Sequence, residues 1–226
     1  MKGWSNWSYG AFVTRRLHSL TGIVPLGLFL SLHLLGITQP TGGTSSIGAS
    51  SDGASAIGTS SIWGFLSCGG APPLLSATAW TLLLVALLGH GSYGLLIASR
   101  PRYCGVARPH HPGYRLYRLQ RVSGILLLAF VTVHLLQARI AGTGTGTAWW
   151  LADKLQILGD PCSFWFYAAG TLAAAGHLSI GIATFGMTWG LTTSPSSRRW
   201  AQLAAVAVFS VLSVAGITGI FGVREW

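Results

Sequence analysis

The sequence predicts an all-α membrane protein, a bundle of five transmembrane helices. Only 8% of its 226 residues are charged, against about 25% in an average globular domain. The mean hydropathy is +0.55, and several apolar stretches are long enough to cross a bilayer. So few charges cannot build a water-exposed surface, which excludes a soluble globular domain. Disorder is excluded as well, because long apolar runs with 10 Trp residues do not stay solvated.

Five stretches have the length of a membrane span, which is about 20 mostly apolar residues. They cover residues 17–37, 74–99, 116–140, 164–191 and 201–223. We expect one integral membrane domain over residues 1–226. The segment 38–73 is rich in Gly, Ser, Ala and Thr, which predicts a flexible loop on the outer side.

The basic residues predict the orientation of the bundle. Most of the 14 Lys and Arg residues flank one side of the predicted spans, and only Arg139, Lys154 and Arg224 fall on the other side. Because Lys and Arg concentrate in cytoplasmic loops, we expect the N-terminus inside and the C-terminus outside, in a multi-pass protein of the cytoplasmic (inner) membrane. Anionic lipid headgroups or an acidic partner surface, and not nucleic acid, then account for the net charge of +10.

Four of the 7 His residues lie well inside the predicted spans, one in each of the first four, and His18 lies at the edge of the first span. The four are His33, His90, His134 and His177. An ionisable group in hydrocarbon is costly and usually functional. A hydrogen bond between helices explains any single one of them. None of the 4 Asp and Glu residues lies in a span to pair with them, so four together favour metal or haem ligation.

Local sequence sorts these residues into two pairs. His33 and His134 lie in similar segments, FLSLHLL and FVTVHLL. His90 and His177 are each followed by a Gly one helical turn later, in HGSYG and HLSIG, where a larger side chain would obstruct a flat macrocycle.

The chemistry of the candidate ligands favours haem over a zinc or copper ion. Those ions draw their ligands to one point, often with Cys or carboxylate. Cys68, Cys104 and Cys162 all fall in predicted links, and the His residues occupy at least two depths. Two stacked b-type haems, each held by two His from different helices, fit better. With both axial positions filled, such haems carry electrons and do not activate dioxygen.

Six short motifs are spread along the chain. They are RRLHSLTG at 15–22, LHL at 32–34, GHGSYG at 89–94, LQRVSG at 119–124, VHLLQARI at 133–140 and MTWGLTTSP at 187–195. Together they resemble the large di-haem cytochrome b anchor of succinate:menaquinone oxidoreductases, in the succinate dehydrogenase/fumarate reductase cytochrome b family. The resemblance runs from about residue 15 to 221, and only the Gly- and Ser-rich loop lacks a counterpart.

The resemblance implies a membrane anchor and electron-transfer subunit of succinate dehydrogenase. In that complex a flavoprotein oxidises succinate, an iron–sulfur subunit passes the electrons on, and the anchor delivers them to menaquinone. By this resemblance His90 and His177 bind the haem proximal to the iron–sulfur subunit. His33 and His134 bind the distal haem.

Other site residues are expected from their chemistry at the membrane edge, where cationic and hydrogen-bonding side chains bind haem propionates. The candidates for the propionates are Arg16, His18, Ser19, Arg121, Ser123, Arg139 and Lys154. For each of these Arg residues a topology signal is the alternative. The residues that can instead dock the iron–sulfur subunit are Arg100, Arg102, Arg108 and Arg115. Gln39 and Gln137 are candidates for a quinone site near the distal haem.

Two other functions stay open at this point. The first is the anchor of a quinol:fumarate reductase, in which electrons flow in the reverse direction. Some of those anchors carry membrane carboxylates, and no predicted span here contains Asp or Glu, so succinate oxidation is favoured. The second is a haem-free membrane transporter or scaffold whose His residues pair internally.

Cys68 and Cys162 are both expected on the outer side, where oxidation is permitted, so a disulfide between them is a hypothesis. Comparing the masses of tryptic fragments before and after reduction tests it. We expect one fragment pair to separate upon reduction. An unchanged fragment map would end the hypothesis.

Overall fold

The structure is a computed structural model that describes residues 3–37, 73–99, 112–141 and 159–224. Five long helices, α1 to α5, account for nearly all of these residues. Helix α1 consists of an α-helical part (Gly3–Thr21), a π-helical part (Gly22–Gly27) and a second α-helical part (Leu28–Gly36). The other four are α2 (Pro73–Ser99), α3 (Pro112–Ala141), α4 (Pro161–Thr188) and α5 (Pro195–Arg224).

Each of these helices contains a segment long and apolar enough to cross a membrane. The segments are Gly10–Gly36, Ala77–Ser99, Arg115–Gln137, Pro161–Thr188 and Pro195–Phe221. The predicted all-α membrane class and the number of candidate spans are therefore confirmed for the described part of the chain. The orientation of the termini stays a prediction.

The helices extend beyond the predicted spans mainly at polar ends. Helix α1 begins at Gly3 instead of residue 17, and α5 begins at Pro195 instead of residue 201. At α5 the hydroxyl of Ser194 accepts a hydrogen bond from the backbone N–H of Ser197 (3.1 Å), and Pro195 fits the first helical position. Hydropathy alone does not detect a helix start that depends on capping.

Helix α4 has defined signals at both ends. Asp160 precedes it, and its carboxylate accepts a hydrogen bond from the backbone N–H of Ser163 (2.8 Å). At the other end Gly190 has a φ of +71°, and the carbonyl of Gly186 accepts the N–H of Leu191 (2.8 Å). This left-handed turn ends the helix at Thr188, three residues before the predicted end.

The π-helical part of α1 contains Pro25. Proline has no backbone N–H and its ring crowds the carbonyl of the preceding turn, so the helix widens locally instead of continuing as an α-helix. Gly27 is buried here, and a side chain on it would meet Leu178 of α4 at 2.7 Å. The widened turn thus coincides with a close approach of α1 to α4.

The core lies between α4, α5 and the second part of α1. Small residues dominate it on α4, where Ala174 and Ala175 are 2% and 0% exposed. Leu34 of α1 and Leu212 of α5 pack against Ala175. Small residues let membrane helices approach closely, which explains why α4 makes its most extensive contacts with α5 and then with α3.

Helices α2 and α3 are mostly exposed. Leu82 and Leu88 of α2 are 69% and 63% exposed. Because these are large apolar side chains on candidate membrane spans, their exposed faces suit lipid. Helix α2 packs only modestly against α1 and α3, so the bundle has one tightly packed and one loosely packed side.

The tight packing of α4 predicts a selective effect on stability. Ala175→Leu should lower the free energy of unfolding by about 1–3 kcal/mol, because the added atoms have no space in a filled core. Ala169 lies on the same helix and is exposed, so Ala169→Leu should have little effect. The measurement is thermal unfolding in mild detergent; equal stability of the two variants would contradict the described packing.

Candidate functional site

The four His residues of the spans face one another in two pairs. His90 of α2 and His177 of α4 form one pair, here called the α2–α4 pair. Their ring centres are 6.1 Å apart, with an angle of 89° between the ring planes. His33 of α1 and His134 of α3, the α1–α3 pair, also have ring centres 6.1 Å apart, with an angle of 62°. The structure thus brings together the same two pairs that the sequence pattern predicts.

This separation suits a metal ion between the two rings. A metal–imidazole nitrogen bond is about 2 Å long and the ring centre lies roughly 1 Å behind that nitrogen, so two imidazoles on opposite sides of one ion have centres about 6 Å apart. In the described ranges no three His, Cys, Asp or Glu side chains are arranged to hold a metal ion. Within each pair the two rings are thus far enough apart for one metal ion to be held between them.

The α2–α4 pair has its Nδ1 atoms engaged by main-chain carbonyls. Nδ1 of His90 lies 3.0 Å from the carbonyl oxygen of His18, and Nδ1 of His177 lies 3.1 Å from that of Gln120. A carbonyl only accepts, so Nδ1 carries the proton in each ring and Nε2 is left with a lone pair. This is the common arrangement of metal-binding His, whose other nitrogen is held by a second partner.

A cavity of about 110 Å³ adjoins the α2–α4 pair, lined also by His18 and by residues of α2 and α3. A side chain on Gly22 would collide with the ring of His90, and one on Gly124 would come within 2.9 Å of His177. Ligand pockets commonly measure about 300–1,000 Å³. A flat macrocycle therefore needs more room than this cavity has, and α2, which packs only modestly against its neighbours, borders it.

Phenylalanine rings stack on the α1–α3 pair. Phe29 lies 5.6 Å from His33 with an angle of 9° between planes, and Phe130 lies 5.7 Å from His134 with an angle of 14°. Each Phe precedes its His by one helical turn, where side chains of the same helix meet. The shared F-x-x-x-H pattern therefore has a physical basis that sequence reasoning used for pairing but did not explain.

Several predicted propionate ligands already have other contacts. His18 stacks on His90, with ring centres 4.0 Å apart. The hydroxyl of Ser123 lies 3.2 Å from Nδ1 of His177. The guanidinium of Arg121 donates to the carbonyls of Ile97 (3.2 Å) and Ala98, at the C-terminal end of α2. It also donates to the hydroxyl of Tyr117 at 2.7 Å.

Arg16 contacts two aromatic rings, and its guanidinium lies 4.4 Å from the centre of the Phe12 ring. The guanidinium of Arg16 lies 5.0 Å from the centre of the Trp189 ring, and its Nε is buried without a hydrogen-bond partner among the described residues. Ser19 is half-buried on α1. Among the propionate candidates whose side chains the structure describes, Arg16 and His18 each have a buried nitrogen without a hydrogen-bond partner.

The candidates on the other side are only partly described. Gln137 accepts a hydrogen bond from the hydroxyl of Tyr167 (2.7 Å), and the Tyr167 ring packs edge-on against His134 at 5.8 Å. Sequence reasoning missed Tyr167, which no motif marked. Cys162 is exposed. Outside the described residues lie Gln39, Cys68 and Lys154, as well as the docking candidates Arg100, Arg102 and Arg108, and the side chain of Arg139 is likewise not described.

Comparison with known proteins gives two matches. Residues 101–216 match the family described as the succinate dehydrogenase/fumarate reductase transmembrane subunit. The succinate dehydrogenase cytochrome b558 subunit of Bacillus subtilis (strain 168) is 31% identical over 188 residues, which cover 83% of this chain and 85% of that protein. No solved structure matches the chain.

The match to the relative covers most of the chain, and the family match includes the third and fourth candidate spans and most of the fifth. Together with the five apolar helices they identify a multi-pass protein of the cell membrane. The cytochrome name of the relative implies haem b in the family. The chain belongs to the succinate dehydrogenase/fumarate reductase cytochrome b family.

Proposed function

We propose that this chain is the membrane anchor and electron-transfer subunit of a succinate dehydrogenase. In this proposal it accepts electrons from an iron–sulfur subunit, which a flavoprotein subunit supplies from succinate, and passes them through two bis-His haems b to menaquinone. The observation that carries the proposal is the pair of imidazole couples, each with ring centres 6.1 Å apart, inside candidate membrane spans.

The proposed axial ligands are His90 and His177 for one haem and His33 and His134 for the other. With both axial positions filled, each haem would supply one-electron transfer and no dioxygen chemistry. The main-chain carbonyls of His18 and Gln120 support this assignment, because they hold the Nδ1–H groups and leave Nε2 for the iron.

The two pairs lie at different levels of the bundle. On α4, Tyr167 packs against His134 of one pair while His177 belongs to the other. At the helical rise of 1.5 Å per residue, these levels are about 15 Å apart along α4. Haems held by these residues at the two levels would supply one-electron transfer over part of the bilayer.

The remaining roles are proposed from position and charge. Arg16 and Ser19 would bind propionates of the haem at the α2–α4 pair. Gln137, held by Tyr167 beside His134, would contribute to a quinone site at the other pair, together with Gln39. The basic residues between α2 and α3 would face the cytoplasm and meet the iron–sulfur subunit.

The matched family includes fumarate reductases, so a quinol:fumarate reductase anchor is the alternative. It would keep the same haem ligands and reverse the direction of electron flow. The described parts of the five helices contain no Asp or Glu. A proton path through a membrane carboxylate of these spans is therefore not available, and this favours succinate oxidation.

The proposal predicts the colour of the protein. A reduced-minus-oxidised spectrum of the purified chain should show a b-type, bis-His signal, and iron analysis should give about two atoms per chain, one for each bis-His site. A colourless protein would refute the proposal and favour the haem-free transporter or scaffold.

Single substitutions should separate the two haems. His90→Ala and His177→Ala should each remove the same haem, because either leaves only one axial imidazole in the α2–α4 pair. His33→Ala and His134→Ala should remove the other. Redox titration of membranes that contain the complex measures each haem as a separate transition.

The internal control of this experiment is the haem that remains in each variant. Its transition should stay close to that of the wild type. If His33→Ala and His90→Ala abolished one shared transition, the proposed pairing would be wrong.

A further inference from the structure

His18 and His90 lie on different helices, and their rings are stacked face to face. The ring centres are 4.0 Å apart and the planes are within 12° of parallel. This is closer than the stacks of Phe29 on His33 (5.6 Å) and Phe130 on His134 (5.7 Å). His90 is thus covered on one face by a ring from α1.

The same residue holds His90 at a second point. The carbonyl oxygen of His18 lies 3.0 Å from Nδ1 of His90. A hydrogen bond at one nitrogen fixes the direction of one ring edge, but the terminal torsion of a His side chain is broad. The stacked ring restricts the rotation that remains, so the two contacts together define the plane of His90.

The surroundings of His18 explain how it reaches this position. Gly22 lets α1 and α2 approach, because a side chain on it would collide with His90. The ring of Tyr93 also packs against His18, with ring centres 5.5 Å apart. The ring of His18 therefore contacts His90 and Tyr93, and within the described part of the chain its buried Nδ1 has no hydrogen-bond partner.

We infer that His18 is a positioning residue for His90 and not a propionate ligand. Its stacked ring sets the plane of His90 relative to His177, an angle of 89° in this structure. The inference rests on the proposed function, because the orientation of an axial imidazole matters electronically only when the pair binds haem. It concerns one of the two haems and leaves the α1–α3 pair untouched.

The test compares His18→Ala with His18→Phe in membranes that contain the complete complex. Neither substitution removes the main-chain carbonyl that holds Nδ1 of His90, so only the stacked ring changes. The electron paramagnetic resonance signal of an oxidised bis-His haem depends on the angle between its two imidazole planes. We expect His18→Ala to shift the signal and the midpoint potential of the haem that His90→Ala removes. His18→Phe should restore both, because it keeps a flat ring.

Phe29→Ala supplies the matched control, since it removes the stacked ring from His33. It should shift the signal of the other haem and leave the first one unchanged. A shift of both haems in either variant would indicate a general disturbance of the bundle and contradict the inference.

The remaining outcomes distinguish this inference from the proposed function. If the wild type shows two haems and His18→Ala changes neither, the inference is wrong and the proposed function stands. If His18→Ala and His18→Phe have the same effect on the signal or the presence of that haem, the nitrogens of the imidazole matter and its flat ring does not. This result would also contradict the inference. A wild type without haem overturns both.

Discussion

An imidazole inside hydrocarbon needs a partner for each of its nitrogens, and the structure depends on how the α2–α4 pair meets this need. One nitrogen of each ring is held by a main-chain carbonyl of a neighbouring helix: His90 by α1 and His177 by α3. These bonds connect α2 to α1 and α4 to α3. The other nitrogen of each ring, Nε2, keeps its lone pair for a ligand between the two rings. The same contacts therefore connect four helices in two pairs and orient the two imidazole rings.

The two residues of the α2–α4 pair lie on sides of the bundle that differ in packing, one tightly packed and one loosely packed. Helices α4 and α5 and the end of α1 pack through small residues such as Ala175 and Gly216. A side chain on Gly216 would meet Leu34 at 3.3 Å. Helix α2 packs loosely and carries His90 beside the cavity. The tightly packed helices fix the position of His177, whereas His90 lies on the loosely packed helix. The cavity beside these two residues is lined by α1, α2, α3 and α4, and the buried core lies between α1, α4 and α5.

The number of spans and the two His pairs could be predicted from sequence, because span length, apolar composition and the cost of a buried imidazole are local properties of the chain. The roles of His18, Ser123 and Arg121 could not. Each has a polar group suited to a propionate, but its contact depends on which residues of another helix come within reach: a ring for His18, a ring nitrogen for Ser123, and the free carbonyls at the end of α2 for Arg121. The early start of α5 at Pro195 was missed because it depends on capping by Ser194.

The π-helical part of α1 separates the residues of this helix that contact the two pairs. His18 lies before it, and Phe29 and His33 lie after it. Each residue advances a helix by about 100°. Because a π-helical turn holds more residues than an α-helical turn, this stretch sets the rotation of His33 and Leu34 relative to His18. Its residues Gly22 and Gly27 leave no room for a side chain, so selection on this stretch should act on its length and on these two glycines together.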